Sequence, residues 1–385
     1  MRQLQFIMAI AVMAILFACS KELPLNHTDA PGRPDTTEQP GPNEPGPNQP
    51  DTSSADSIIP IRVKAKVMVG QISYDFIPAT LQVSSWDSSN QVYEKEITLL
   101  AGVNTIHLPK THLRFRLKLV KWGITDEQMF TNAEVQEGAI LELGGSKAAK
   151  KLRQEVGYLL IAGAYQVQSK TVYYYRADGY LDHVGYYQKK PQHTDLKLYT
   201  TDRFLYEGPM VNQIRRFDEN NVLVSTTEFS YNSMGKIIHV QQSGYGLETY
   251  VAVNYERSDS IQTINIDYLY NNGQAMEYKM QFVGGNKVED IAKSSTGGSE
   301  SGQYKYDQQI NPFAHLNMPD FYLSNRSKNN LTSQRKVYAG SVPAGIPYRF
   351  EYSYDPEGYP TVLTSHYKSY VTGAELYTIK TVYTY

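Results

Sequence analysis

From residue 158 onward the chain keeps returning to one pattern: aromatic residues alternate with polar ones, and a short run rich in Asp, Asn and Gly then breaks the alternation. Its clearest copy is Phe350-Glu-Tyr-Ser-Tyr354, followed by Asp355-Pro-Glu-Gly358 and a second alternating run from Thr361 to Tyr370. Alternation with period two sends successive side chains to opposite faces of a strand. Pro356 presets φ at a turn corner and Gly358 accepts positive φ, so the segment predicts a strand, a tight turn and a returning strand. The aromatic that precedes each break falls at Tyr175, Phe217, Tyr231, Tyr270, Tyr306 and Tyr354. Unequal steps between these copies predict a curved antiparallel meander with loops of varying length, and no solenoid.

Tyrosine marks where this region begins. Of the 32 in the chain only Tyr74 and Tyr93 precede residue 158, and halves so different in composition predict two domains. A phenol ring buries a large area while its hydroxyl stays wet, so a thin curved sheet need not be apolar on either face. Most of these rings are expected to form cross-strand ladders. Some are expected to line a groove for a sugar or peptide on the concave face.

Residues 58–145 have a different rhythm. Ile61–Val69, Thr80–Trp86, Val92–Leu100, Val103–Leu108, Leu113–Trp122 and Ala139–Leu143 are short alternating runs separated by Pro78, Gly102, Pro109 and Gly138, which predicts a small antiparallel sandwich. Leu113, Phe115, Leu117 and Leu119 are expected in its core. Arg114, Arg116 and Lys118 then share the opposite face, where they read as a solvated surface opposed by Glu94 and Glu96 and less as a site for acidic polysaccharide or lipid headgroups. The connector, 146–157, is expected to be a short helix with Ser146 as its cap and Gly157 as its stop.

The N-terminal residues describe delivery. Arg2 precedes the eleven apolar residues Ile7–Phe17, too few to span a bilayer core of ~30 Å and suited to an export signal. Residues 31–51 are rich in proline and lack large apolar side chains, so they are expected to be an extended tether reaching roughly 65 Å at ~3.1 Å per residue. Formal charge is −2 and falls to −3 when the single positive charge of Arg2 leaves with the signal; no clustered basic surface speaks for a nucleic-acid partner. One cysteine, Cys19, excludes intrachain disulfides and cysteine zinc sites.

Four resemblances follow from these residues. Leu16-Phe-Ala-Cys19-Ser20 resembles the cleavage box of bacterial lipoproteins, which implies cleavage before Cys19, acylation of its thiol and new amino group, and, with Ser20 next, an outer-membrane address. The alternating motif resembles the tyrosine-aspartate repeats of Rhs-type proteins. Residues 158–385, about 60% of the chain, more closely resemble an uncharacterised family of bacterial lipoprotein domains with a porin-like, strongly curved antiparallel sheet. The likeness is carried by Phe204–Gly208, Tyr268–Gly273, Asn311–Asn317, Leu323–Leu331 and Tyr348–Tyr385, and it implies a fold and no activity. The strand rhythm of 58–145 resembles immunoglobulin or fibronectin-type domains.

Catalytic and metal-binding patterns are absent. Asp182-His183 and His193-Thr194-Asp195 could make a base pair or metal site, but histidine beside aspartate in polar strands is usually incidental. Asp355 and Glu357 lie in one turn, whereas glycosidase carboxylates come from separate strands ~5–9.5 Å apart. Gly297–Gly302 reads as a flexible loop. The expected protein is all-β: signal (1–18), lipidated Cys19 and tether (19–57), sandwich (58–145), connector (146–157) and an open, porin-like meander (158–385). It is expected to be a non-enzymatic outer-membrane lipoprotein, without cofactor or metal, that binds a glycan, a peptide or an envelope partner. The alternative is a structural or assembly component of the envelope with no soluble ligand. No ligand-binding residue is legible.

Overall fold

In the computed structural model the described residues are 58–75, 77–134, 139–189, 195–244, 247–258, 260–316, 318–319, 327–338, 347–368 and 374–385. The signal (1–18), Cys19, the tether (19–57) and His193 with Thr194 lie outside them.

The first domain contains β1 (Ile58–Val69), β2 (Ile72–Asp75), β3 (Ala79–Trp86), β4 (Val92–Leu99), β5 (Asn104–Pro109), β6 (Arg114–Lys121), β7 (Ile124–Thr131) and β8 (Ile140–Lys147). One sheet centres on β1, which pairs with β2 and β5 antiparallel and with β8 in parallel; the other runs β4-β3-β6-β7. Alternation buries Ile61, Val63, Ala65, Val67 and Val69 of β1 against Leu81, Phe115, Leu117 and Leu119 of the facing sheet. Two strands, β2 and β7, escape the sequence reading because the polar Thr-Asp-Glu-Gln of β7 hides its alternation. Leu113 does not join the core: the strand begins at Arg114, and Leu113 is 53% exposed.

The second domain contains β9 (Gln154–Ile161), β10 (Ala164–Tyr175), β11 (Leu181–Lys189), β12 (Leu196–Glu207), β13 (Met210–Asp218), β14 (Leu223–Tyr231), β15 (Ile237–Gly244) and β16 (Leu247–Ser258). It continues with β17 (Ile261–Tyr270), β18 (Ala275–Val283), β19 (Asn286–Ser294), β20 (Ser299–Tyr306), β21 (Leu331–Tyr338), β22 (Pro347–Tyr354), β23 (Pro360–Lys368) and β24 (Glu375–Thr384). Each strand pairs antiparallel with the next, and β24 pairs with β9 from Ile379↔Leu159 to Thr384↔Gln154. The meander is therefore a barrel, as expected, but one of sixteen strands that closes where an open, porin-like barrel was expected. Closure satisfies the two rows of backbone donors and acceptors that an open sheet would leave at its edges, and alternation carries no mark of which edges meet.

The six repeat copies all lie at C-terminal ends of strands, namely β10, β13, β14, β17, β20 and β22. Three of their turns, after β13, β14 and β22, share one chemistry. In β22–β23 the Asp355 N–H donates to Tyr359 O, Gly358 N–H to Asp355 O, and the Asp355 carboxylate accepts from Glu357 N–H and Tyr359 N–H at 2.9 and 3.0 Å. Asp218 and Asn232 make the same side-chain bonds, with Asn221 and Gly235 at φ 62° and 70° in the fourth position. A short acceptor side chain at the first position and a residue tolerant of positive φ at the fourth are what such a turn needs. Tyr306 leads elsewhere, into a cap whose first part, Ile310, Asn311, Leu316 and Met318, is buried.

No helix forms between the domains. Ser146 and Lys147 finish β8, residues 148–153 have no regular structure, and β9 starts at Gln154. Contacts across the domain boundary replace helical hydrogen bonds: Lys150 N–H donates to Tyr359 Oη at 2.9 Å and Arg153 N–H to Thr384 O at 2.7 Å. Lys150 Nζ lies 2.7 Å from both Asp355 and Glu357. The β22–β23 turn also receives Trp122, which sits at φ 51° in the β6–β7 hairpin, donates from Nε1 to Gln309 Oε1 at 2.8 Å and packs edge-on to Tyr74 at 5.2 Å. Ile310 and Tyr359 of the barrel complete the core of the sandwich.

Candidate functional site

Closure turns the expected binding face inward. Leu152, Tyr173, Val184, Phe204, Ile214, Phe229, Val240, Val253, Ile266 and Tyr383 form one buried cluster with Tyr186, Tyr206, Tyr231, Tyr268 and Tyr278 packed against it. The tyrosines of this cluster work on that inner face as packing and as donors. Tyr175, Tyr206 and Tyr231 donate to Leu152 O, Leu181 O and Val211 O at 2.8, 2.8 and 2.5 Å.

Inward charges have partners, as burial requires. Asp202 accepts from Arg216 Nε and Nη2 at 2.6 Å each. Asp290 lies 2.8 Å from Lys287 Nζ and accepts from Tyr304 at 2.6 Å and from Tyr278. Burial pushes the Asp290 carboxyl up, but Lys287 and the hydroxyl donors outweigh it and hold it below the usual range. Gly302 faces this group, and a Cβ there would come within 2.5 Å of Tyr304 Oη. The Gly297–Gly302 run is accordingly no flexible loop: Gly297 closes the β19–β20 turn at φ 96° and Ser299–Gly302 belong to β20. Glu300 pairs with Lys336. Glu155 accepts from the Tyr173 hydroxyl, and burial pushes its carboxyl up to about 7.

The outer wall differs. Arg203, Arg215, Glu228, Asn254, Glu256, Asp267, Glu277, Lys279, Lys293, Gln303, Lys305, Arg335, Arg349 and Glu351 are exposed on it, spread over the strands from β12 to β22. Among the described residues these polar and charged side chains interrupt any continuous apolar band round it. On this wall β10 to β13 form a groove of about 570 Å³. Its upper row is Tyr174↔His183↔Arg203, and its floor row is Val172↔Gly185↔Thr201↔Phe217. Gly185 is covered by its neighbours: a Cβ there would meet the Tyr187 ring at 3.2 Å and Leu198 at 3.7 Å, and both side chains line the groove with it.

One wall of the groove is a flat aromatic pair. Tyr174 and His183 stack with centroids 4.1 Å apart and planes 13° from parallel. Asp182 is the extra residue of a bulge opposite Tyr174 and Tyr175, and it reaches His183 Nδ1 at 2.7 Å. The other wall comes from the β13–β14 turn: Asn221 Oδ1 accepts from Arg203 Nη2 at 2.8 Å, the Arg203 guanidinium lies 4.4 Å from the Phe217 ring centroid, and Asp218 and Glu219 complete the rim.

Other sequence candidates find structural uses. Asp182 and His183 do meet, though among the described residues no group of three His, Cys, Asp or Glu could hold a metal. Asp355 and Glu357 are bound by Lys150 and Lys147 at the domain boundary. Arg116 lies 3.8 Å from Glu94, and Arg114 and Arg116 flank Trp86 at 6.0 and 5.7 Å, so the stripe on the sandwich is interleaved with its own partners.

No protein-family model matches the sequence, and no curated protein matches it either. Among solved structures, a porin-like protein from Bacteroides uniformis ATCC 8492 is 13% identical over 61% of this chain and 98% of that one, with TM-score 0.39. A porin-like protein from Bacteroides vulgatus ATCC 8482 is 16% identical over 60% and 97%, with TM-score 0.38. A likeness at this level carries no function across. No described helix is long and apolar enough to cross a membrane, which says nothing of strands.

Proposed function

We propose that the mature chain is a non-enzymatic lipoprotein of the bacterial outer membrane, held by acyl groups on Cys19, whose barrel stands in water and binds a glycan, a peptide or an envelope partner. The charged outer wall carries the reading. A membrane-spanning strand needs about ten residues with every outward position apolar, and an outward arginine or lysine at the bilayer midplane costs about 2–4 kcal/mol. Arg203, Arg215, Lys279, Lys293, Lys305, Arg335 and Arg349 are exposed on this wall beside a comparable number of carboxylates. Attachment therefore falls to the N-terminus, where several acyl chains are stable and one alone is marginal. The proline-rich tether would hold the folded unit away from the lipid.

Growth with radiolabelled palmitate is expected to label the wild-type chain and leave Cys19→Ala unlabelled, with the labelled form in the outer-membrane fraction. A wild-type chain without fatty acid overturns the anchor.

A further inference from the structure

We infer that the groove over Gly185 and Thr201 is a subsite for a neutral sugar ring, which makes glycan the ligand class of the barrel. This rests on the reading of the outer wall as a water-facing binding surface. A pyranose offers one face of C–H groups and a fringe of hydroxyls. A site for it combines an aromatic surface of fixed orientation with a few planar polar groups at the rim, in a depression deep enough to exclude water from the stacked face.

Each part is present. Tyr174 is 39% exposed and is fixed by its stack on His183, which Asp182 holds in turn. Gly185 lets the Tyr187 ring and Leu198 close down over β11, and these with Thr201 line the bottom of the groove. Arg203 is oriented by both Phe217 and Asn221, so its remaining N–H groups and the Asn221 amide face a ligand without rotamer search. Donors from Arg203 and Asn221 and the Asp182 carboxylate suit hydroxyls, which both give and accept.

Charge selects among sugars. Three carboxylates against one guanidinium make the lining of the groove acidic. An uronic acid, a sulfated sugar or an anionic headgroup would enter against that field. A peptide has little purchase here, because strand addition needs an unpaired sheet edge and the barrel has closed its own.

The full mature chain should be titrated calorimetrically with hexasaccharides of glucose in α- and β-linkage, of mannose and of xylose, and with hexagalacturonate. At least one neutral hexasaccharide is expected to bind saturably and hexagalacturonate at least tenfold more weakly. Tyr174→Ala and Gly185→Leu should each lose at least tenfold, while Tyr250→Ala, exposed on β16, changes nothing. Circular dichroism and melting temperature establish that each variant folds. Absence of any neutral binding, binding that survives both groove variants, or hexagalacturonate binding as tightly as the neutral sugars overturns the inference. Fatty acid on Cys19 is measured separately, so a failed groove and a failed anchor are told apart.

Discussion

Two buried groups make stability depend on pH in opposite directions. Glu155 has its folded pKa pushed up to about 7 by burial, so the folded barrel keeps a proton that the unfolded chain releases near 4.5. Its contribution is complete below about 4.5 and is lost as pH rises through about 7, worth about 3 kcal/mol. His315, stacked on Tyr74 and within 3.2 Å of its hydroxyl, is pulled down to about 4 by burial and then by Lys147. Its contribution is present above about 6.5 and is lost as pH falls through about 4, again worth about 3 kcal/mol. The two nearly cancel between pH 4.5 and 6.5, so the wild-type profile is expected to be flat there. Denaturant melts should show Glu155→Gln gaining stability as pH rises across that window and His315→Gln losing it; parallel profiles for both variants would contradict the assignment. The sequence does not reveal these residues. Asp202 and Arg203 are neighbours on opposite faces, and bulges such as those at Tyr174, Tyr186 and Leu205 reset which parity points inward.

The elements were legible where the chemistry is local. Asp355-Pro-Glu-Gly358 and its relatives specify their turns through bonds spanning four residues, and the strands ending at Tyr175, Tyr231, Tyr270 and Tyr354 sit where alternation placed them. The connector was misread because Ala148 and Ala149 favour a helix only while nothing better is offered to their backbone. Here Ala149 packs against Gly70, and Lys150 is taken by Tyr359. The same turn docks the domains, which makes Gly358 a point of double constraint: φ is 85°, and a Cβ would lie 2.5 Å from the Trp122 ring. Gly358→Ala is expected to cost at least about 2 kcal/mol, from left-handed strain and from the displaced indole. Trp122→Gly should relieve the clash, so the double variant should lose less than the sum of the single ones in urea melts. Additive losses would mean that the two residues do not meet.

For the whole molecule, closure could not be read from the sequence, since it depends on accumulated twist and register over sixteen strands and on no residue in particular. The groove was hidden for a related reason. Tyr174, His183, Arg203 and Asn221 come from three strands and a turn that no local pattern ties together. The central claim is that the outer wall of this barrel faces water, with the membrane contact left to one cysteine. Sedimentation of a chain beginning at Ser20, in buffer without detergent, tests that claim most directly. The account predicts a discrete soluble species with the circular dichroism of a β-protein and no association with added liposomes. A chain that aggregates until detergent or lipid is supplied, and then becomes protected from protease within the bilayer, would contradict it.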